Sequence, residues 1–492
     1  MVSHNPTIAA CGPRCAAAAG LRSTIAKWAT RVIRMRVVLT AAVCTAFVFA
    51  PSTGARATTI IVNSLADPGV PGICALRDAI TAANTMTATN GCAAGSGHDT
   101  INFSPSMTGT ISLVSTLPQV TDSLLTVNGP ASRSVTISGG FSFPLRFFSV
   151  LEVGAGATLN LNNLSIADGI AFPEGGGINN AGTLTVTNSV FSGNEALFGG
   201  GISNSGVLTV TNSTFSANRA LSPFGSGPSG SGGAIGNEGT TKITNSTFSG
   251  NVGKSDGGAI ANGGALTVIN STFVGNANPD PMGSGAGIEN TGTLTVTNST
   301  FSGNRGGAGG AILNFLGSAS LKSTILANSR RILGPPSNCF GAITDAGYNI
   351  SDDSTCGFAK TGSANNGDAV DPLLSSAELA SNGGPTQTIG LRSGSPAIDA
   401  IPIADCTDQA SPPSPITADQ RGFPRPDAGE QVCDIGAFES ESFAGQPGAR
   451  SCHTTSVAAL TEQFGSLGAA ASALGFSSVE ALQNAIVAFC KG

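Results

Sequence analysis

The feature that most constrains the fold of this chain is a segment of twenty residues that recurs six times between residues 175 and 328. The copies read GGGINNAGTLTVTNSVFSGN, GGGISNSGVLTVTNSTFSAN, GGAIGNEGTTKITNSTFSGN, GGAIANGGALTVINSTFVGN, GAGIENTGTLTVTNSTFSGN and GGAILNFLGSASLKSTILAN. Their anchor isoleucines are 24, 33, 25, 28 and 24 residues apart, and these are Ile178, Ile202, Ile235, Ile260, Ile288 and Ile312. All the length variation falls between the last Asn of one copy and the next glycine pair. A constant frame with one variable loop is typical of a solenoid and predicts a parallel β-helix.

Each copy contains a short alternating strand, such as Leu184-Thr185-Val186-Thr187, which predicts one apolar and one polar face. Stacked coils would place equivalent apolar residues above one another. One expected column is Phe191, Phe215, Phe248, Phe273, Phe301 and Ile325. A second is Val186, Val210, Ile243, Val268 and Val296. Since burial of a Phe or Leu side chain is worth roughly 1.5–3 kcal/mol, we expect these columns to carry most of the stability.

Asparagine recurs at three positions of the repeat. Two residues after the anchor stand Asn180, Asn204, Asn237, Asn262, Asn290 and Asn314. Ten residues after it stand Asn188, Asn212, Asn245, Asn270 and Asn298, then Lys322. Sixteen residues after it stand Asn194, Asn218, Asn251, Asn276, Asn304 and Asn328. Because Asn tolerates left-handed turns and its amide can bond a copy of itself one coil away, we interpret these columns as stacked turn amides. The alternative is a polar binding stripe.

The first 57 residues have the pattern of an export signal. Met35-Arg36 precedes an apolar run from Val37 to Ala50, and Ala55-Arg56-Ala57 forms a small-x-small cleavage site. The run is too short to span a membrane, so no transmembrane segment is expected in the mature chain, whose true start could be Met35. Cleavage would leave 16 basic and 29 acidic residues, a net charge of −13. That charge argues against nucleic acid or an anionic membrane as partner.

Eight cysteines follow the predicted signal, and none lies in the repeats. They form sequential pairs: Cys74 with Cys92, Cys339 with Cys356, Cys406 with Cys433, and Cys452 with Cys490. Eight cysteines allow 105 connectivities, of which this local pairing is the simplest, and it implies an oxidising compartment. A zinc site is disfavoured because the mature chain has no CxxC and only two histidines, His98 and His453. We therefore expect no metal and no cofactor.

Two flanking regions resemble known modules. Cys74-Ala75-Leu76-Arg77-Asp78-Ala79-Ile80, continuing to Ala83-Asn84, resembles the CSLREA domain at the start of secreted bacterial β-helix proteins. These residues predict a short amphipathic helix, with Leu76, Ala79, Ile80 and Ala83 on one face, that covers the edge of the first coil. The repeats themselves are similar to those of polymorphic outer membrane proteins. The resemblance implies that the β-helix is right-handed.

Downstream, six ordered blocks resemble the choice-of-anchor Q domain, which follows a solenoid and precedes a variable surface anchor. The blocks are 347–350, 371–374, 382–386, 394–399, 419–422 and 434–439. Within them we expect Asp419, Arg421 and Asp434 to bridge one another. Residues 452–490 predict a two-helix, Cys-bounded segment, with no apolar span or sorting motif behind it. Release from the cell is therefore favoured over anchoring.

The predicted fold class is all-β, a parallel β-helix with a short helical N-terminal cap and a small Cys-bounded helical C-terminal segment. The predicted domains are a signal peptide (1–57), an N-terminal cap (58–98), β-helix repeats (99–338), choice-of-anchor Q-like C-terminal coils (339–440) and a linker with a helical segment (441–492).

Catalytic residues are hard to find in the repeats. Their charges occupy different repeat positions and predict no column, and these are Glu174, Glu195, Arg219, Glu238, Lys254, Asp256, Glu289 and Arg305. The nearest acidic pair is Asp168 with Glu174. The alternative interpretation is that both are loop charges exposed to solvent. Most of the 24 Phe are expected inside the columns, leaving few exposed aromatic platforms for sugar. The variable loops are the predicted interaction face, above all Leu221 to Gly232 and Ala277 to Ser284.

We therefore expect a secreted or cell-surface interaction scaffold of adhesin type, a monomer that binds a glycan or protein on a cell surface. An extracellular polysaccharide lyase or hydrolase is the alternative, and it requires carboxylates gathered on one face of the coils. A third hypothesis, an autotransporter passenger, requires a C-terminal membrane barrel, whereas the chain ends in a predicted helix.

Overall fold

The computed structural model describes residues 57–140, 147–221, 230–281, 283–362, 365–376, 378–392, 394–427, 431–440, 450–473, 476 and 478–491. The predicted export signal, except Ala57, lies outside the described residues, and so do residues 222–229 of the longest predicted loop.

Three long parallel sheets run the length of the repeat region. The first sheet comprises Thr59–Val62, Asp99–Phe103, Leu125–Asn128, Thr158–Asn162, Thr183–Thr187, Val207–Thr211, Thr240–Thr244, Ala265–Ile269, Thr293–Thr297, Ser318–Lys322 and Thr344–Asp345. The second sheet comprises Gly109–Ser112, Val135–Ser138, Ser165–Ala167, Val190–Ser192, Thr214–Ser216, Thr247–Ser249, Thr272–Val274, Thr300–Ser302, Ile325–Ala327 and Ile350–Ser351. The third sheet comprises Leu151–Val153, Ile178–Asn180, Ile202–Asn204, Ile235–Asn237, Ile260–Asn262, Ile288–Asn290, Ile312–Asn314 and Cys339–Phe340.

Strands in each sheet follow one another in chain order, so successive coils lie side by side, as in a parallel β-helix. This confirms the predicted fold class. Shorter parallel ladders join Glu195–Ala196, Arg219–Ala220 and Val252–Gly253, and Arg305–Gly306 with Arg330–Arg331. One antiparallel pair, Ile401–Pro402 with Val432–Cys433, lies beyond the coils, next to a 3₁₀ turn at Ile403–Asp405.

The aromatic column fills the centre of the solenoid. Phe191, Phe215, Phe248, Phe273 and Phe301 are fully buried, and their rings stack with centroids 4.7, 4.9, 4.7 and 4.6 Å apart. The planes of neighbouring rings differ by no more than 8°. The valine column is equally buried, since period-two alternation turns every second residue of the first sheet inward. Coil stacking therefore removes both columns from water.

The sixth copy departs from the predicted register. Phe301 pairs with Leu326, whereas Ile325 pairs with Thr300 and faces away from the ring column. The cause is one extra residue between Asn314 and Ser318, where exposed Leu316 takes a left-handed conformation with φ 62°. Everything after that turn is displaced by one residue.

The displacement also corrects two predicted members of the Asn columns. Lys322 pairs with Thr297, so Ser323 (φ 52°) takes the turn position that Asn298 (φ 44°) holds in the coil before. Similarly, the backbone N–H of Asn304 donates to Oγ of Ser329, which therefore replaces the predicted Asn328.

The Asn columns two and sixteen residues after the anchor join the coils from inside. In the first of them, each Nδ2 donates to Oδ1 of the Asn in the next coil over 2.6–2.8 Å, from Asn180 through Asn314. In the second, Nδ2 of each of Asn194, Asn218, Asn251 and Asn276 donates to the next coil's Asn and to a backbone carbonyl of the preceding coil. Because their amides are buried and hydrogen-bonded, these columns lie inside the coils rather than on a binding surface.

The column ten residues after the anchor has a different role. Asn188, Asn212, Asn245, Asn270 and Asn298 all have φ between 44° and 54°, the left-handed region that Asn tolerates better than most residues. These residues make the turn between the first and second sheets. Sequence reasoning missed a fourth column beside them, the fully buried serines Ser189, Ser213, Ser246, Ser271 and Ser299. Their hydroxyl oxygens accept backbone N–H groups from the neighbouring coil.

The N-terminal end of the solenoid is capped by α1, Leu76–Thr85, whose buried residues include the predicted face of Leu76, Ala79, Ile80 and Ala83. Arg77 fixes the cap, since its guanidinium pairs with Asp67 at 2.6 Å and donates to the carbonyls of Ser115 and Thr116. The first coil begins earlier than predicted, because Thr59–Val62 already belongs to the first sheet.

The C-terminal flank was predicted as further coils, but coil stacking ends near Ile350–Ser351. The chain then packs back along the outer face of the second sheet. There Gln420 bonds Thr247 and Thr272, and the N–H of Ala437 donates to Thr300. Outward-facing Ile325 and Ala327 form a second apolar core with residues of this flank, among them Ile389, Ile401 and Ile435.

Four disulfides close the flanks with the predicted pairing: Cys74–Cys92, Cys339–Cys356, Cys406–Cys433 and Cys452–Cys490. The last bond joins α2 (Cys452–Phe464) to α4 (Val479–Lys491), and α3 (Leu467–Ala473) lies between them in sequence. The segment therefore has three helices rather than the predicted two. No helix among the described residues is long and apolar enough to cross a membrane.

Substituting Phe248 by Ala should lower the free energy of unfolding by about 3–5 kcal/mol, because the cavity would lie between two stacked rings. The matched control is Phe340→Ala, since that ring is 46% exposed and its removal should have little effect. Urea denaturation followed by circular dichroism measures both variants. Equal destabilisation by the two substitutions would contradict the assigned role of the column.

Candidate functional site

The outer face of the third sheet carries a groove that runs across the coils. Its floor is the middle residue of each strand, which points outward between two inward residues. From one coil to the next the floor residues are Glu152, Asn179, Ser203, Gly236, Ala261 and Glu289. Unlike the inward columns, this column does not repeat a residue type.

One wall of the groove comes from the variable loops. Four residues before each anchor stand Glu174, Phe198, Ser231, Asp256 and Ser284, and the first four of these are joined by successive parallel bridges. The opposite wall contains Glu238, Gly263 and Thr291, three residues after their anchors. Ser231 follows the loop that contains residues 222–229, and Ser284 ends the predicted 277–284 loop. The variable loops therefore supply side chains to this groove.

Two adjoining cavities make up the groove. One, of about 420 Å³, is lined by Glu152, Phe172, Asn179 and neighbouring residues. The other, of about 370 Å³, is lined by Phe198, Asp256 and Glu289 among others, and Glu174 borders both. The ionisable residues that line the two cavities are all acidic: Glu152, Glu174, Glu238, Asp256 and Glu289. The groove therefore has a negative potential when these groups are ionised.

Asp256 and Glu289 form a carboxyl pair in the second cavity. Asp256 accepts hydrogen bonds from the hydroxyls of Ser231 at 2.9 Å and Ser284 at 3.0 Å. Glu289 lines the same cavity, and only 8% of its surface is exposed. Burial raises the pKa of Glu289 to about 8, and the negative charge of Asp256 contributes to the increase. At neutral pH Glu289 therefore keeps a proton.

The carboxylate of Asp256 is held by two serine hydroxyls and shares its cavity with Glu289, so the pair is suited to binding one cation or one proton.

Exposed aromatic rings line the groove, contrary to the expectation that few would be available. Phe147, Phe172 and Phe198 are 39%, 49% and 42% exposed and all contribute to its lining. They belong to non-repeating segments and are not among the phenylalanines of the buried column. Flat apolar faces next to polar groups are suited to stacking against sugar rings.

The structure does not assemble the predicted Asp168–Glu174 site. Asp168 lies at the end of Ser165–Ala167, in the second sheet, with φ 52°, and accepts a hydrogen bond from Ser138 at 3.2 Å. Glu174 lines the groove of the third sheet, and Asp168 is not among the lining residues. The charges predicted to form no column do meet here, since Glu174, Glu238, Asp256 and Glu289 border one cavity from three different repeat positions.

A second group of charges is buried in the C-terminal flank. Arg421 pairs with Asp419 at 2.7 Å, as predicted, and its guanidinium lies 3.8 Å from the centre of the Phe438 ring. The carboxylate of Asp434 instead accepts the backbone N–H groups of Asp399 and Ser440. Arg425 pairs with Glu439 at 3.2 Å and donates to the backbone carbonyl of Asp434. Burial raises the pKa of Asp434 to about 6. These groups lie next to the flank's contacts with the second sheet, where they have a structural role.

Comparison with known families agrees with this architecture. Residues 151–329 match the sequence profile of a family described as the right handed beta helix region, which agrees with the expected handedness. No curated protein matches the chain. Within the part of the chain that the structure describes, no group of three or more His, Cys, Asp or Glu residues could hold a metal ion.

The raised pKa of Glu289 predicts a pH-dependent stability. Between about 4.5 and 8 the folded protein holds a proton at Glu289 that the unfolded chain releases. This contribution to stability is therefore complete below the unfolded pKa and is lost as the pH rises through about 8. The free energy of unfolding should fall over this range in the wild type, and Glu289→Gln should remove that part of the decline.

Urea titrations at several pH values would measure the effect. Glu378→Gln is the matched control, because Glu378 is exposed and lies outside the groove. If Glu289→Gln and Glu378→Gln show the same pH profile as the wild type, Glu289 does not hold the proton.

Proposed function

We propose that this protein is an exported β-helix scaffold that binds an extended glycan along the groove of the third sheet. The length of the groove is the main support. Its floor residues come from six successive coils, and stacked rings place the coils 4.6–4.9 Å apart. That spacing is comparable to the length of one sugar unit in an extended chain, so successive units could meet successive coils.

The chemistry of the groove also favours a glycan. Hydroxyl, amide and carboxyl groups from Ser203, Asn179 and Glu238 are the hydrogen-bonding groups that sugar hydroxyls require. Phe172 and Phe198 offer apolar faces beside them. A peptide could not add as a further strand on this face, because the backbone groups of the third sheet are already paired between coils.

Export is supported by separate observations. Four disulfides are typical of an oxidising compartment, and the pattern of residues 1–57 is that of an export signal. The resemblance of 74–84 to the CSLREA domain and of 340–440 to the choice-of-anchor Q domain points to a secreted bacterial protein. We place its action outside the cell or at the cell surface, as a monomeric adhesin-like scaffold.

A glycoside hydrolase or lyase is the second candidate. The observation that favours it is Glu289, which keeps a proton at neutral pH and so could act as a general acid.

Phe198→Ala should weaken glycan binding by about tenfold, which corresponds to about 1.4 kcal/mol and to the loss of one stacking face. A glycan array would first find a ligand, and calorimetry would then compare the variants. Phe340→Ala is the matched control, since that ring is similarly exposed on the third sheet but does not line the groove.

The proposal requires the control to bind like the wild type. Equal affinity of both variants would place the ligand elsewhere. Failure of every glycan to bind the folded protein would end the proposal.

A further inference from the structure

The charge of the groove indicates which class of glycan it takes. All five ionisable residues that line the two cavities are acids, and no Lys, Arg or His is among the described lining residues. An acidic polysaccharide would be repelled along the whole groove. A neutral glycan would bring no positive charge to these acids.

We propose that the groove binds a polysaccharide of amino sugars with free amino groups, and that Asp256 and Glu289 hold one of its ammonium groups. This inference rests on the proposed glycan-binding function and specifies its substrate class. Charge complementarity selects the ligand, and the exposed rings of Phe172 and Phe198 give the uncharged faces of the sugar a place to stack.

The pair is arranged to accept one positive charge. Both oxygens of Asp256 already accept hydrogen bonds from serine hydroxyls, which hold the carboxylate in place. A buried carboxyl such as Glu289 resists ionising beside the negative charge of Asp256 unless a counter-charge is present. In the free protein the proton on Glu289 removes that conflict. An ammonium group carries three donors and one positive charge, so it can replace that proton and pair with both carboxylates.

Other acids reinforce this site. Glu174 and Glu238 border the same cavity, and their negative charge acts in the same direction as that of Asp256. A basic peptide is the other cationic polymer of this kind. The glycan is favoured because the groove presents side chains at each coil spacing and no free strand edge for a peptide backbone.

Calorimetry with a fully deacetylated glucosamine hexamer tests the inference, with the N-acetylated hexamer and poly-lysine as comparison ligands. The wild type should bind the deacetylated hexamer at least about tenfold more tightly than the acetylated one, and this preference should shrink as salt is added. Glu289→Gln should lose most of the preference, whereas Glu378→Gln should keep it. Circular dichroism would establish that each variant is folded.

Proton release supplies a readout that general loss of binding would not mimic. Near pH 7, the wild type should release up to one proton more than Glu289→Gln when it binds the deacetylated hexamer, seen as an observed enthalpy that depends on the ionisation enthalpy of the buffer. The comparison removes the protons that the ligand's own amino groups take up, because these are the same for both proteins. Equal proton exchange by the two proteins would contradict the assignment of the ammonium to this pair.

The remaining outcomes separate this inference from the proposed function. Equal or tighter binding of the acetylated hexamer would overturn the amino-sugar inference and leave glycan binding standing. Tighter binding of poly-lysine that depends on Glu289 would overturn it in favour of a basic peptide. Absence of binding by every glycan tested would overturn both.

Discussion

The whole structure depends on buried amides that bond from coil to coil. The side chains of Asn194, Asn218, Asn251 and Asn276 each reach one coil forward and one coil back, and all are fully buried. A shift of one residue would leave these amides unpaired, at a cost of about 1–3 kcal/mol for each orphaned group. Ring stacking in the Phe column buries further apolar surface, but the amide hydrogen bonds allow only one register between neighbouring coils. Variation is therefore confined to the loops between the columns.

Repetition within the sequence made the fold predictable, because equivalent residues must stack when coils are parallel. The inward columns, the α1 cap and the four disulfides followed from spacing, residue type and family resemblance. The shift at Leu316 did not. A single extra residue in a degenerate copy cannot be recognised from the sequence, and it becomes apparent only from the pairing with the neighbouring strand. The lateral packing of the C-terminal flank was also missed. It depends on contacts such as those of Gln420 with Thr247, which lie 173 residues apart.

The candidate site was less predictable than the fold for a related reason. The four acids of the second cavity stand at three different positions of the repeat, so they form no column in the sequence. They are Glu174, Glu238, Asp256 and Glu289. Only the curvature of the coil brings the loop wall, the floor and the opposite wall together. The repeated residues hold the scaffold, the C-terminal flank occupies the second sheet, and the non-repeating residues line the groove of the third sheet. Recognition is thereby assigned to the part of each coil that is free to vary.

A crystal structure of the protein soaked with a glucosamine oligomer would test the central claim most directly, because it locates the ligand without relying on affinity. The account predicts a sugar chain that crosses successive coils on the third sheet, with an amine within hydrogen-bonding distance of Glu289 and Asp256 and a ring against Phe198. A sugar chain bound instead on the first sheet, at the C-terminal helices or at an end of the solenoid would contradict it.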